Sequence, residues 1–142
     1  MQTISRFRRI LFGWVLLCSA TTAASASDIS VMEAATLIES QHDVLVLDIR
    51  EDWERRQGHI PGTMHLPMGL IPHHLKQLPR DRTIILTCRT GNRTGQLTRY
   101  LQQQGFDNVL NMAGGIVAWT QAGLEITPPE PATFSMNPER TP

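Results

Sequence analysis

TIILTCRTGNRTGQLTRYLQQQG, Thr83 to Gly105, is the stretch on which the fold turns. Its first five residues, Thr83 to Thr87, are mostly apolar and β-branched, as a strand buried on both faces of a parallel sheet requires. Its last part, Thr94 to Gln104, has the pattern of an amphipathic helix stopped by Gly105. Between them CRTGNRTG, Cys88 to Gly95, sets a thiol at a strand-to-helix turn. A free cysteine has a pKa near ~8.5 and is mostly protonated at neutral pH, so its reactivity depends on neighbours that favour the thiolate. Here Arg89 and Arg93 supply fixed positive charge, and Gly91 lets the backbone curl. The amides opening the next helix aim donors into the concavity.

Outward from that turn, strands and helices alternate. Ser30 and Glu33 have capping-box spacing and predict a helix to about Ser40, with Val31, Ala34, Leu37 and Ile38 on one face. Val44 to Leu47 is a second buried-strand run, closed by Asp48, Ile49 and Arg50. The charged segment Glu51 to Gln57 predicts one or two helical turns ending at Gly58, and His59 to Gly62 is a turn. Met64 to Leu66 predicts a short strand, Gly69 to Leu78 a helix ended by Pro79, Val109 to Asn111 another strand, and Gly114 to Ala122 a last helix. Strictly alternating elements imply a three-layer α/β domain, a parallel central sheet flanked by helices, with its ligand site at the carboxyl ends of the strands. Cys88 follows one such end directly.

The 142 residues, 41% of them hydrophobic, support one domain with a core of its own. Residues 1–26 stand apart: Arg6, Arg8 and Arg9, then the apolar run Ile10 to Cys18, then small residues ending Ala24, Ser25, Ala26. They have the layout of a secretory signal peptide cleaved after about Ala26, and the run falls short of the roughly 20 residues of a membrane span. Adjacent Arg8 and Arg9 raise a twin-arginine signal and Cys18 a lipoprotein signal, but Phe7 and Leu17 fit neither pattern well, which favours the general secretory route. Cleavage leaves ten basic against thirteen acidic residues, so a nucleic-acid partner is not expected. It also removes Cys18, leaving Cys88 without an internal disulfide partner in an oxidising compartment. The domain is expected over 27–127. The tail 128–142, rich in proline and poor in apolar residues, reads as an exposed extension whose Phe134 could dock on the body of the domain.

Three stretches, LDIREDWERRQGHIPGTMHLP at Leu47 to Pro67, CRTGNRTG at Cys88 to Gly95 and MAGGIVAW at Met112 to Trp119, together resemble the rhodanese family of sulfurtransferases. The resemblance spans nearly all of the expected domain. Size and leader are similar to the small exported phage shock protein E type. The resemblance implies a rhodanese-like domain and a double displacement, in which Cys88 takes the outer sulfur of a thiosulfate-like anion and passes it to cyanide or a thiol. Cys88 is then catalytic. Arg89 and Arg93 would bind the donor, and the backbone of Thr90, Gly91, Asn92 and Thr94 would hold the thiolate and persulfide anions. No metal or organic cofactor is implied, and after export no stable membrane association is expected; the location would be periplasmic.

Two other functions remain in view. The protein could act as a persulfide carrier or stress-interaction module serving a protein partner. It could also be a cysteine phosphatase, but related phosphatases place five residues between cysteine and arginine, whereas Cys88 and Arg93 enclose four. Thr87 also stands where those enzymes commonly have histidine.

Several residues take plainer roles. Asp48 and Arg50 are expected to form an ion pair orienting the loops, His59 to be a turn residue, and His73 and His74 to face solvent. Trp53 and Trp119 are expected to fill the core or cover helix ends. Gly114 and Gly115 should allow close packing at a turn, and Arg99 should be an exposed helical charge.

Overall fold

The computed structural model describes residues 27–41 and 43–129. The expected leader with Cys18, and the tail from Glu130 with Phe134, lie outside the described residues. Five strands form one sheet in the order β1-β5-β4-β2-β3, and every pairing is parallel. They are β1 Asp28–Ile29, β2 Val44–Asp48, β3 Met64–His65, β4 Thr83–Thr87 and β5 Val109–Met112. Helices α1 Val31–Ser40, α2 Asp52–Arg55, α3 Ile71–His74 and α4 Asn92–Gln103 lie in the connections between them, and α5 Gly115–Gln121 follows β5.

Alternation along the central strands sorts the core into two layers. Leu45, Leu47 and Ile49 of β2, with Ile84, Leu86 and Cys88 in line with β4, pack with Ile71, Leu97, Leu101 and Phe106 on one face. Val46 and Ile85 point the other way and pack with Val31, Ala34 and Ala35 of α1 and Trp119 of α5. The expected three-layer α/β domain with a parallel sheet is the one observed. At the start of α1 the capping box forms: the Glu33 amide donates to Ser30 Oγ at 3.2 Å and the Ser30 amide to Glu33 Oε2 at 2.8 Å.

Three expectations are corrected. Gly69 to Leu78 is not one helix but a 3₁₀ turn at Met68–Leu70, the four residues of α3 and a second 3₁₀ turn at Leu75–Gln77. Pro72 is the reason: it suits the first turn of a helix but its ring blocks one running through from Gly69. Trp53 does not enter the core, being 61% exposed, whereas Trp119 is buried. His74 is half-buried, with Nδ1 2.9 Å from the Leu70 carbonyl, while His73 is exposed. The two-residue β1 was not expected, because a strand that short has no periodicity to read.

From β2 the chain crosses to β3 on one side, and from β4 to β5 on the other. The carboxyl ends of these adjacent strands, where Asp48 lies opposite Thr87, therefore flank the topological switch point. The loops leaving those ends build the site.

Candidate active site

Cys88 continues directly from β4, and its side chain is fully buried. The Gly91 amide donates to Sγ at 3.2 Å, and Thr94 Oγ1 lies 3.4 Å from Sγ and 3.0 Å from the Gly91 carbonyl, so its one proton serves the carbonyl while Cys88 is a thiol and turns to the sulfur when Cys88 is a thiolate. Burial pushes the thiol pKa up. The Thr94 hydroxyl and the amides of Thr94, Thr90 and Gly91 outweigh it and hold the thiol below its ordinary value. The Thr94 side chain is thus a partner of the sulfur, where the sequence offered only its backbone. The helix expected from Thr94 starts two residues earlier, at Asn92, because Gly91 takes the left-handed conformation (φ 87°) at the N-cap and turns the chain at once into α4. Asn92 and Arg93 accordingly belong to the first turn of the helix rather than to the loop.

The two arginines behave differently. Arg93, expected to bind donor, makes two bonds to Glu54, Nη1 to Oε2 at 2.8 Å and Nη2 to Oε1 at 2.6 Å. Through this fork Arg93 lowers the pKa of Glu54 and Glu54 raises that of Arg93, with the Cys88 sulfur adding to the effect on Arg93. Arg93 therefore stands next to the thiol with its charge already matched. Arg89 is exposed and has no ion pair or hydrogen-bonding side-chain partner among the described residues. Thr90 and Asn92 are exposed too.

The loop is held from behind by α5. The Ile116 amide donates to the Cys88 carbonyl at 2.8 Å and the Val117 amide to the Arg89 carbonyl at 3.1 Å. This approach requires Gly115: a Cβ there would stand 2.3 Å from the Cys88 carbonyl oxygen, and the residue has φ 54°. The close packing expected of the Gly114–Gly115 turn is thus observed.

On the β2 side, buried Asp48 accepts from Arg50 Nε at 3.0 Å and Nη2 at 2.7 Å, and from Arg55 Nη1 at 3.3 Å. Arg50 also donates to the carbonyls of Glu54 (3.2 Å) and Gly58 (2.9 Å), and Arg55 to Thr63 Oγ1 at 2.7 Å. Every charge in this group has a partner, so its role is to shape the loop that carries Glu54. His59 bonds backbone to backbone with Thr127, and burial lowers its pKa, with Arg55 nearby adding to this. Among the described residues no group of three or more histidine, cysteine, aspartate and glutamate side chains could hold a metal ion.

Beside the loop lies an open cleft of about 700 Å³, bordered by Trp53, Glu54 and Arg89 and walled by Ile116, Val117 and Ile126. Sequence reasoning missed Glu54 and this cleft. The charged segment containing Glu54 reads as one or two helical turns, and nothing in it points to a partner in α4.

A thiol held at the switch point of a parallel α/β sheet by hydroxyl and amide donors defines a cysteine-dependent α/β domain with an anion-holding loop. Residues 30–122 match the rhodanese-like domain, and the chain belongs to that family. It is 49% identical over 88 residues to a sulfurtransferase of Allochromatium vinosum, a match covering 62% of this chain and 82% of that protein. It is 35% identical over 97 residues to the thiosulfate sulfurtransferase GlpE of Pseudoalteromonas translucida, covering 68% and 91%. The crystal structure of a rhodanese-like domain protein from Staphylococcus aureus superimposes with a TM-score of 0.63 at 31% identity, covering 71% of this chain and 98% of that one. The protein is thus a member of a sulfurtransferase family.

Proposed function

We propose that the protein is a thiosulfate-type sulfurtransferase that carries one sulfane sulfur on Cys88 and acts in the periplasm after loss of residues 1–26. The Cys88 thiolate attacks the outer sulfur of the donor. The bond to the sulfonate sulfur breaks, and sulfite leaves with the electron pair. Cys88 then holds a persulfide, and a cyanide or thiolate acceptor attacks its outer sulfur and returns the pair to Sγ. The observation that carries this reading is the donor set at Sγ, the Gly91 amide and the Thr94 hydroxyl, which favours an anion on sulfur before and after transfer. Arg89 supplies the free cation for an anionic donor, and Arg93, next to the sulfur, supplies a second where Glu54 yields it. The ring from Cys88 to Arg93 is one residue smaller than in the phosphatases and suits a single sulfur anion better than a phosphoryl group.

The test is the intact mass after incubation with thiosulfate. The protein gains one sulfur and loses it again to cyanide, while Cys88→Ala gains none. Equal gain by Cys88→Ala would assign the sulfur elsewhere and overturn the reading.

A further inference from the structure

Two of the five large apolar side chains most exposed on the described surface, Trp53 at 61% and Val117 at 38%, stand on the same cleft. Ile116 and Ile126 continue its wall. Neither thiosulfate nor cyanide needs apolar surface, and a space of about 700 Å³ lies within the roughly 300–1,000 Å³ range of small-molecule sites. The cleft is tied to the sulfur in two ways. Its Ile116 and Val117 amides hold the carbonyls of Cys88 and Arg89, and its Glu54 holds the arginine beside Sγ. The cations nearby are unequal: Arg50 is spent on Asp48 and Arg93 on Glu54, which leaves Arg89 as the unpaired charge on the rim.

We propose that this cleft seats the organic sulfur acceptor, a small thiol with an apolar, preferably aromatic, body and one carboxylate. The body lies against Trp53, Ile116 and Val117, the carboxylate meets Arg89, and the thiol reaches the loop. Transfer needs no further reagent. The acceptor thiolate bonds to the outer sulfur of the Cys88 persulfide, the S–S bond to Sγ breaks, and Cys88 recovers the electron pair as its thiolate, leaving an organic persulfide. This inference rests on the reading of Cys88 as the sulfur carrier, and one arm of its test does not.

In the first arm, the full chain is loaded with one sulfur and discharged in single turnovers by 4-mercaptophenylacetate, by 2-mercaptoethanol and by cyanide. The ratio of the mercaptophenylacetate rate constant to the cyanide rate constant is expected to fall about tenfold in Trp53→Ala and in Val117→Asp, a change of ~1.4 kcal/mol. An unchanged ratio, or a wild type that prefers 2-mercaptoethanol, overturns the proposal. So does faster discharge to a cysteine-containing peptide than to mercaptophenylacetate, since the cleft would then serve a protein acceptor. In the second arm, the unreactive S-methyl ether of the same acid is titrated calorimetrically into Cys88→Ser, with and without Trp53→Ala. Binding is expected, weakened about tenfold by Trp53→Ala. Absence of binding refutes the cleft whatever the loading experiment shows; binding without any sulfur loading refutes the carrier reading and leaves the cleft in place.

Discussion

Glu54 and Arg93 are 39 residues apart in sequence and meet in two hydrogen bonds of 2.6 and 2.8 Å, joining α2 to the first turn of α4 across the switch point. On the proposed function the pair sets the charge that a donor meets, since the cation next to Cys88 is already matched by Glu54. Its fork geometry is the strong, directional form of an arginine–carboxylate contact.

Glu54→Gln removes the negative charge and leaves Arg93 free to face a dianion. The expected outcome is a thiosulfate KM about fivefold lower at low salt, with the gain shrinking as ionic strength rises. Steady-state kinetics at two salt concentrations check this. A KM at or above that of the wild type would mean that Glu54 places Arg93 rather than restraining it.

The same pair makes stability depend on pH. The folded-state pKa of Glu54 is lowered from its ordinary value of 4.5, chiefly by the bond to Arg93. Its contribution is therefore fully present above that value and is lost as pH falls through the folded pKa. Urea unfolding of wild type and Glu54→Gln should differ most above pH 5 and converge in more acidic solution. A difference that stays constant down to pH 3 would show that the carboxylate is not the source.

Thr94→Val keeps the shape of the side chain and deletes its hydroxyl from Sγ. Hydrogen bonds to charged groups are worth about 1.5–3 kcal/mol, so the thiol pKa should rise and the alkylation rate at neutral pH fall by about tenfold or more. The pH dependence of iodoacetamide labelling reads this directly. An unshifted profile would assign the thiolate's stability to the Thr90, Gly91 and Thr94 amides alone.

The layered α/β fold was legible because its decisive signals are local: two apolar runs, a capping box at Ser30 and Glu33, and glycines at turns. Cys88 was legible for the same reason, since its strand, turn and helix are contiguous. Pairings between distant loops were not. The contact of Glu54 with Arg93 depends on β2 and β4 lying side by side, and no spacing within either segment records it. The cleft depends on Trp53, Val117 and Ile126 coming together from three segments, and an isolated tryptophan in sequence reads as core. The Asp48–Arg50 pair was legible because its members are two residues apart, although the share of Asp48 taken by Arg55 was not.

The glycines of the site carry a contrasting pair of expectations. Gly115→Ala would place a Cβ 2.3 Å from the Cys88 carbonyl oxygen and 2.7 Å from that of Arg89, in backbone that L-residues rarely adopt. Either the α5 amides release the active loop or the loop is pushed out of line with β4, so the cost should be about 3 kcal/mol or more, with sulfur loading lost even where the chain stays folded. Gly69 has no positive φ and open space around its Cβ position. Gly69→Ala should be neutral or stabilising by up to about 1 kcal/mol, because it restricts the unfolded chain without meeting anything in the folded one. Urea midpoints and the loaded mass of both variants test the contrast. Equal stability of the two would show that the hold of α5 on Cys88 is looser than its 2.8 Å bond from Ile116 indicates.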